Sequence, residues 1–320
     1  MASGSGEKLA PNVEFKHFDV VSDASDHRYG NSSLSSTKAK KFSNVDSSVY
    51  KQIMKEWRSL EKNLPESIYV QVYETRIDLL RAVIIGAEGT PYHNGLFFFD
   101  IYLPSEYPKQ PPKVYYHAHG LRLNPNLYAD GKVCLSLLNT WSGTKMEKWT
   151  QNSTILQILV SIQGLVLNEK PFFNEPGYGN VKNSKHSRWI NKSLSYNAEV
   201  FLLSCKTMVY IMRNPPKNFE IFVAQHFRKR ADSILAAIQD YLVLFSSSSN
   251  KVPSSFKSKL INIHSELARA SGVVSELKLE KIENGSQLSN GIRKENGRNG
   301  KKSKKGLMNK LISIAKWIWK

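Results

Sequence analysis

An α+β fold is predicted by three features of the sequence: one amphipathic helix, four short strand-like runs joined by turns, and a set of helical stretches, the first entered through a long irregular segment. After Asp46, Val49, Ile53, Trp57, Leu60 and Leu64 recur at helical spacing until Pro65 ends the run. Strand-like runs follow at 68–73, 77–85, 96–103 and 114–117, and Gly86, Gly89, Pro91, Asn94 and Gly95 punctuate the segment before the third. Connections this short favour an antiparallel meander, because parallel neighbours need crossovers of about a dozen residues. The first helix is a candidate to cover one face of that sheet. From 120 to 151 no period is visible; then 153–168 reads as a helix with Ile155, Leu156, Leu159, Ile162 and Val166 inward. Further helices are expected at 197–213 and 218–245, separated by Pro215-Pro216, and a modest helical pattern runs over about 260–279.

The chain has 320 residues, 41% of them hydrophobic, enough to fill a core. Its two cysteines, Cys134 and Cys205, can form neither a disulfide-rich secreted scaffold nor a four-cysteine zinc site. No stretch reaches the roughly 18 apolar residues of a membrane span, and the N-terminus lacks the apolar core of a signal peptide. A reducing, cytoplasmic setting is therefore expected. The formal charge of +18 is uneven: residues 251–320 carry 16 Lys and Arg against five Glu. A nucleic-acid binder would interleave basic and aromatic residues on its folded part, so charge concentrated in a tail disfavours that class.

Irregular segments of this length inside a compact domain are usually functional, and Cys134 lies within this one. Alone, a cysteine between Val133 and Leu135 reads as a small buried hydrophobe. Its surroundings change that reading. In order, the chain carries Gly86-x-x-Gly89-Thr90-Pro91-Tyr92-x-x-Gly95, then Tyr107-Pro108-x-x-Pro111-Pro112-Lys113-Val114, then Asn124-Pro125-Asn126, then Gly131-Lys132-Val133-Cys134-Leu135. This ordered set, over residues 48–213, resembles the ubiquitin-conjugating enzyme family. The phrases at 96–100, 121–138 and 161–177 are similar to a plant subgroup of large conjugating enzymes with extended termini.

The resemblance implies a core of N-terminal helix, four-stranded antiparallel meander, thiol loop, central helix and C-terminal helices. It also implies the activity: Cys134 accepts ubiquitin as a thioester from the activating enzyme and transfers it to a substrate lysine. Asn126 matches the family asparagine that supports the loop and stabilises the oxyanion formed during aminolysis, a role suited to an amide donor. Asn174-Glu175-Pro176 is the nearest match to the family's acidic position after the central helix, which makes Glu175 a candidate to orient the acceptor lysine. The sequence departs from the family in having Asn124 where His is usual and Ser136 where an acid is common. Of Trp141 and Trp149, the latter is the better match to the family tryptophan because it sits just before the central helix. No acid-base partner is evident beside Cys134, and His117 and His119 read as structural, which argues for transfer of an activated acyl group rather than hydrolysis. No directly bound cofactor or metal is expected, since ATP is consumed by the activating enzyme.

By position, the resemblance assigns Lys51, Lys55 and Arg58 of the first helix to the activating enzyme and ligase, Pro108 and Lys109 to one ligase loop, and Thr150 and Gln151 to another. Lys109 stands where many relatives carry a large apolar residue, so dependence on a ligase is open. The expected organisation is a flexible arm at 1–45, the conjugating core at 46–213, a helical extension at 214–250, a polar linker with one helix at 251–300, and a basic amphipathic tail at 301–320. In that tail Leu307, Leu311, Ile314 and Ile318 oppose Lys316 and Lys320 behind a lysine cluster, a pattern that suits an anionic membrane surface or a nuclear-import signal. The alternatives within the family are a ubiquitin-binding variant without transfer activity and a conjugating enzyme for a related modifier.

Overall fold

The computed structural model describes residues 15–30, 47–178, 181–182, 185–247 and 254–272. Helix α1 (Ser48–Asn63) starts where Ser47 Oγ accepts from Tyr50 N at 3.1 Å, and it stops before Pro65, which disfavours helical backbone at Leu64, here extended at ψ 132°. The sheet has five strands in the order β1 (Phe18–Val21), β2 (Ile68–Tyr73), β3 (Arg76–Ile85), β4 (Leu96–Tyr102) and β5 (Lys113–Tyr116). Strands β2 to β5 form the expected antiparallel meander. The fifth strand is a correction: β1 comes from the arm expected to be flexible, and it pairs in parallel with β2, Phe18 opposite Val70 and Val21 opposite Tyr73.

Both faces of this sheet are buried. Leu80, Ala82 and Ile84 of β3 and Phe97, Phe99 and Ile101 of β4 pack toward α1 and the central helix. Val83, Leu96 and Phe98 point the other way, into a second core with the C-terminal helices. Double burial accounts for the run Phe97-Phe98-Phe99, since a strand covered on both sides has no solvent face to alternate with. The central helix α2 (Ile155–Ser161) is shorter than 153–168, because its last part, Ile162–Val166, widens into a π turn. Helix α3 (Ser187–Arg213) starts ten residues before the expected 197; its opening turns carry mostly polar residues, which hid the period.

Helices α4 (Glu220–Ser247) and α5 (Ser254–Ser271) join the second core through Phe219, Phe222, Phe227, Leu260 and Leu267. Residue 213 is therefore not a boundary of the packed body, and the helix expected in the polar linker belongs to it. The tail at 301–320 and the stretch from 273 lie outside the described residues.

On the second face, Arg81 and Asp100 are cross-strand partners with no exposure, joined by two bonds of 2.6 and 3.0 Å. The N-terminal segment closes over them. Asp26 Oδ1 accepts from Arg81 at 2.8 Å, Arg28 N donates to Asp100 at 2.7 Å, and buried His27 bonds Leu80 O at 2.9 Å. Asp26 also accepts from Lys217 N before α4. A buried ion pair persists only when its remaining hydrogen-bonding capacity is met, and the arm meets it here.

Candidate active site

Between β5 and α2 the chain forms a tight hairpin. Tyr128 N donates to Lys132 O at 3.0 Å, Leu127 bridges Val133, and Cys134 N donates to Asn126 O at 2.9 Å. The turn passes through Gly131 at φ +90°, a left-handed conformation, where a Cβ would also collide with the Tyr115 ring. Because strand side chains alternate, Asn126, Tyr128, Lys132 and Cys134 share one face of the hairpin. The far side is pinned by Thr140, whose Oγ1 accepts from Leu135 N at 3.0 Å and donates to Val133 O at 2.7 Å.

Asn126 is buried, and its Nδ2 donates to Cys134 O at 2.8 Å. Asn124, at the position usual for His, has no exposure. Its Nδ2 donates to Tyr92 Oη and to Val166 O, both at 2.8 Å, while its Oδ1 accepts from Asn126 N at 2.8 Å. The amide thus ties the start of the thiol hairpin to the π turn. Asn174 Nδ2 donates to the same Val166 O at 3.1 Å and to Asn124 Oδ1 at 3.4 Å, and so fixes the 3-10 turn Pro171–Asn174 against the loop. Glu175 follows at once and is exposed.

Cys134 is 2% exposed, and burial pushes its thiol up from the ordinary range. Lys132, the Tyr128 side chain and Arg122 act in the opposite direction. Arg122 stands 4.5 Å from the Tyr128 ring centroid and Lys132 5.6 Å from it, so the two cations and the phenol form one assembly beside the sulfur. Sequence reasoning missed it. The period-2 register of 126, 128, 132 and 134 could have indicated Tyr128 and Lys132; Arg122 carries no such signal. His117 sits 3.0 Å from Asp100 Oδ2, and the His119 ring lies tilted against Tyr210, centroids 3.9 Å apart, with burial holding its pKa at about 4. Cys205 lies inside the second core with no exposure, and its thiol is pushed far up by burial.

Lys51, Lys55 and Arg58 are exposed on one side of α1, as are Lys109, Thr150 and Gln151 on their loops; Pro108 is half-buried. Two buried side chains link these segments. Trp149 Nε1 donates to Pro108 O at 2.7 Å, which joins the two loops. Glu56 of α1 accepts from Tyr107 Oη at 2.7 Å and from Ile155 N at 3.1 Å, so one carboxylate ties the helix to both. Glu56 was not singled out from sequence, where it reads as a solvated helix acid.

Residues 52–200 match the family model described as ubiquitin-conjugating enzyme. The chain is 57% identical over 228 residues to the Arabidopsis thaliana protein provisionally named ubiquitin-conjugating enzyme E2 25, an alignment covering 71% of this chain and 36% of that protein. It is 54% identical over 244 residues to the Arabidopsis thaliana protein provisionally named ubiquitin-conjugating enzyme E2 38, covering 75% of this chain and 72% of the relative. It is also similar, at 36% identity over 243 residues, to the human dual E2 ubiquitin-conjugating enzyme/E3 ubiquitin-protein ligase BIRC6, of which it covers 5%. The chain thus spans about a third of E2 25 and nearly three quarters of E2 38.

Proposed function

Because this chain belongs to the ubiquitin-conjugating enzyme family, we propose that it carries ubiquitin as a thioester on Cys134 and transfers it to substrate lysines. The observation that carries the reading is the clasp between Asn126 and Cys134, which holds a thiol and an amide side by side in one hairpin. In the first step the Cys134 thiolate attacks the thioester between ubiquitin and the activating enzyme, and the enzyme's own thiolate leaves. In the second, a neutral lysine amine attacks the carbonyl on Cys134, an oxyanion forms and collapses, Cys134 leaves as thiolate, and the amine's surplus proton passes to water. Neither step needs a strong base, because the leaving group is a thiolate and the acyl group arrives activated. No bound cofactor takes part.

Asn126 supports the loop and donates to the oxyanion, while Glu175, on the turn tied to Asn124 through Asn174, orients the incoming amine. The surface made of Lys51, Lys55 and Arg58, Pro108 and Lys109, and Thr150 and Gln151 receives the activating enzyme and a ligase. The expected setting is cytoplasmic, with residues 301–320 resting on an anionic membrane; co-sedimentation with acidic liposomes that is lost on truncation at Gly300 tests that part. The activity is tested by incubating the protein with activating enzyme, ATP and tagged ubiquitin or related modifiers. A reducible adduct with ubiquitin on Cys134 is expected; an adduct with another modifier alone would reassign the donor, and no adduct would refute the transfer.

A further inference from the structure

Between Glu175 and Glu199 the chain carries Lys182, Lys185, Arg188 and Lys192 and no Asp or Glu. All four cations are exposed, and none forms an ion pair with another described residue. A basic face is often merely solvated, but two of these cations are held in place. Arg188 and Lys192, one helical turn apart on α3, stand 5.5 and 5.3 Å from the Trp189 ring centroid. Trp189 in turn belongs to a half-buried aromatic group: Tyr178 lies 5.5 Å from it, Phe172 stacks on Tyr178 at 5.0 Å, and Tyr196 lies 6.0 Å from Phe172. Cations restrained on a ring lose less freedom on meeting an anion than free surface lysines do.

This group is joined to the thiol hairpin by a chain of hydrogen bonds that runs through Asn174, Asn124 and Asn126. Phe172 is in the 3-10 turn whose Asn174 bonds Asn124 and Val166. Burial raises the Tyr196 phenol from its ordinary value, and the charges of Arg122 and Glu175 act on it in opposite directions. A polypeptide presenting a lysine to Cys134 on the Glu175 side would pass over the basic and aromatic surface.

We infer that the surface of Phe172, Tyr178, Arg188, Trp189 and Lys192 receives an acidic stretch of the acceptor protein, so that lysines near Asp and Glu are modified in preference. The inference rests on the transfer reading above, and charging together with discharge to free lysine tests that reading separately.

The experiment uses the full chain charged on Cys134 and discharged, in single turnover, to lysine peptides flanked by acidic, neutral or basic residues. The acidic peptide should show the lowest KM, and raising salt should remove its advantage. In the double variant Arg188→Glu with Lys192→Glu, KM for the acidic peptide should rise about tenfold with kcat unchanged, as expected for loss of exposed charge complementarity. Discharge to free lysine should be the same in variant and parent, which verifies that the variant is folded and active. Equal KM values for the three peptides would overturn the inference, as would an acidic preference that survives both substitutions. A short RNA that binds the parent but not the variant, without any peptide preference, would assign the surface to nucleic acid and overturn it too.

Discussion

Asn126 and Cys134 hold each other by main chain and side chain at once: Cys134 N donates to Asn126 O at 2.9 Å, and Asn126 Nδ2 donates to Cys134 O at 2.8 Å. The side chain expected to stabilise the oxyanion is therefore also a strut of the loop that carries the thiol.

Both roles are separable in Asn126→Ala. Loss of the strut leaves a buried carbonyl unpaired and should cost about 1–3 kcal/mol of stability, read by urea unfolding. Loss of the donor should slow discharge of the thioester to free lysine by about 100-fold while charging persists. Equal discharge rates would leave Asn126 with the structural role alone.

Of the two thiols only Cys134 should form the adduct. Cys134→Ser should replace the reducible thioester by a reductant-resistant ester, and Cys205→Ala should leave charging intact, since Cys205 is sealed in the second core. A reducible adduct on a Cys134→Ala protein would refute the assignment.

Because burial raises the Cys134 thiol above the ordinary 9.0, only a small fraction is thiolate at neutral pH. The rate of charging should therefore climb about tenfold per pH unit through the neutral and mildly alkaline range, as the thiolate is the nucleophile. Tyr128→Phe and Lys132→Glu each remove a group that opposes the burial effect, so both should move the profile to higher pH. A profile that does not move in either variant would remove the assembly around Tyr128 from the charging step.

Glu56 is 2% exposed, and burial raises its carboxyl above the ordinary 4.5 despite the bonds from Tyr107, Ile155 and Gln52. The folded state then binds the proton more tightly than the unfolded one, so this group's contribution to stability is highest below pH 4.5 and declines as pH rises through the folded pKa. Glu56→Ala should still cost about 2–4 kcal/mol, because it strands a buried hydroxyl and a backbone N–H. Since it also frees α1 from the two loops, the variant's charging rate should fall more than its discharge to free lysine.

Asp100 behaves in the opposite sense. Although burial opposes it, bonds from His117 and Arg81 hold its carboxyl well below the usual 3.8. Its stabilisation is present above pH 3.8 and is lost as pH falls through the lower folded value. Asp26→Ala should weaken the arm's closure over Arg81 and make residues 15–30 cleavable by protease under native conditions, with the sheet still folded.

The antiparallel meander, the first helix and the thiol loop were legible in the sequence because each is written locally, in period, in turn residues and in the ordered phrases from Gly86 to Leu135. The partnership of Asn126 with Cys134 was legible too, through the family resemblance, since the two stand eight positions apart in one hairpin. What the tertiary structure decided was non-local. Strand β1 has only four residues and little pattern of its own; its place follows from the free edge of β2 and from Arg81, a buried charge that needs Asp26. The polar opening of α3 is helical because its aromatic residues pack against Phe172 and Tyr178, contacts that no window of neighbouring residues contains. Glu56 became a tie between helix and loops only when folding brought Tyr107 and Ile155 to it, across 51 and 99 residues of chain. A sequence states what each segment prefers; the energy of a buried charge or an unpaired donor depends on partners that only the folded chain assembles.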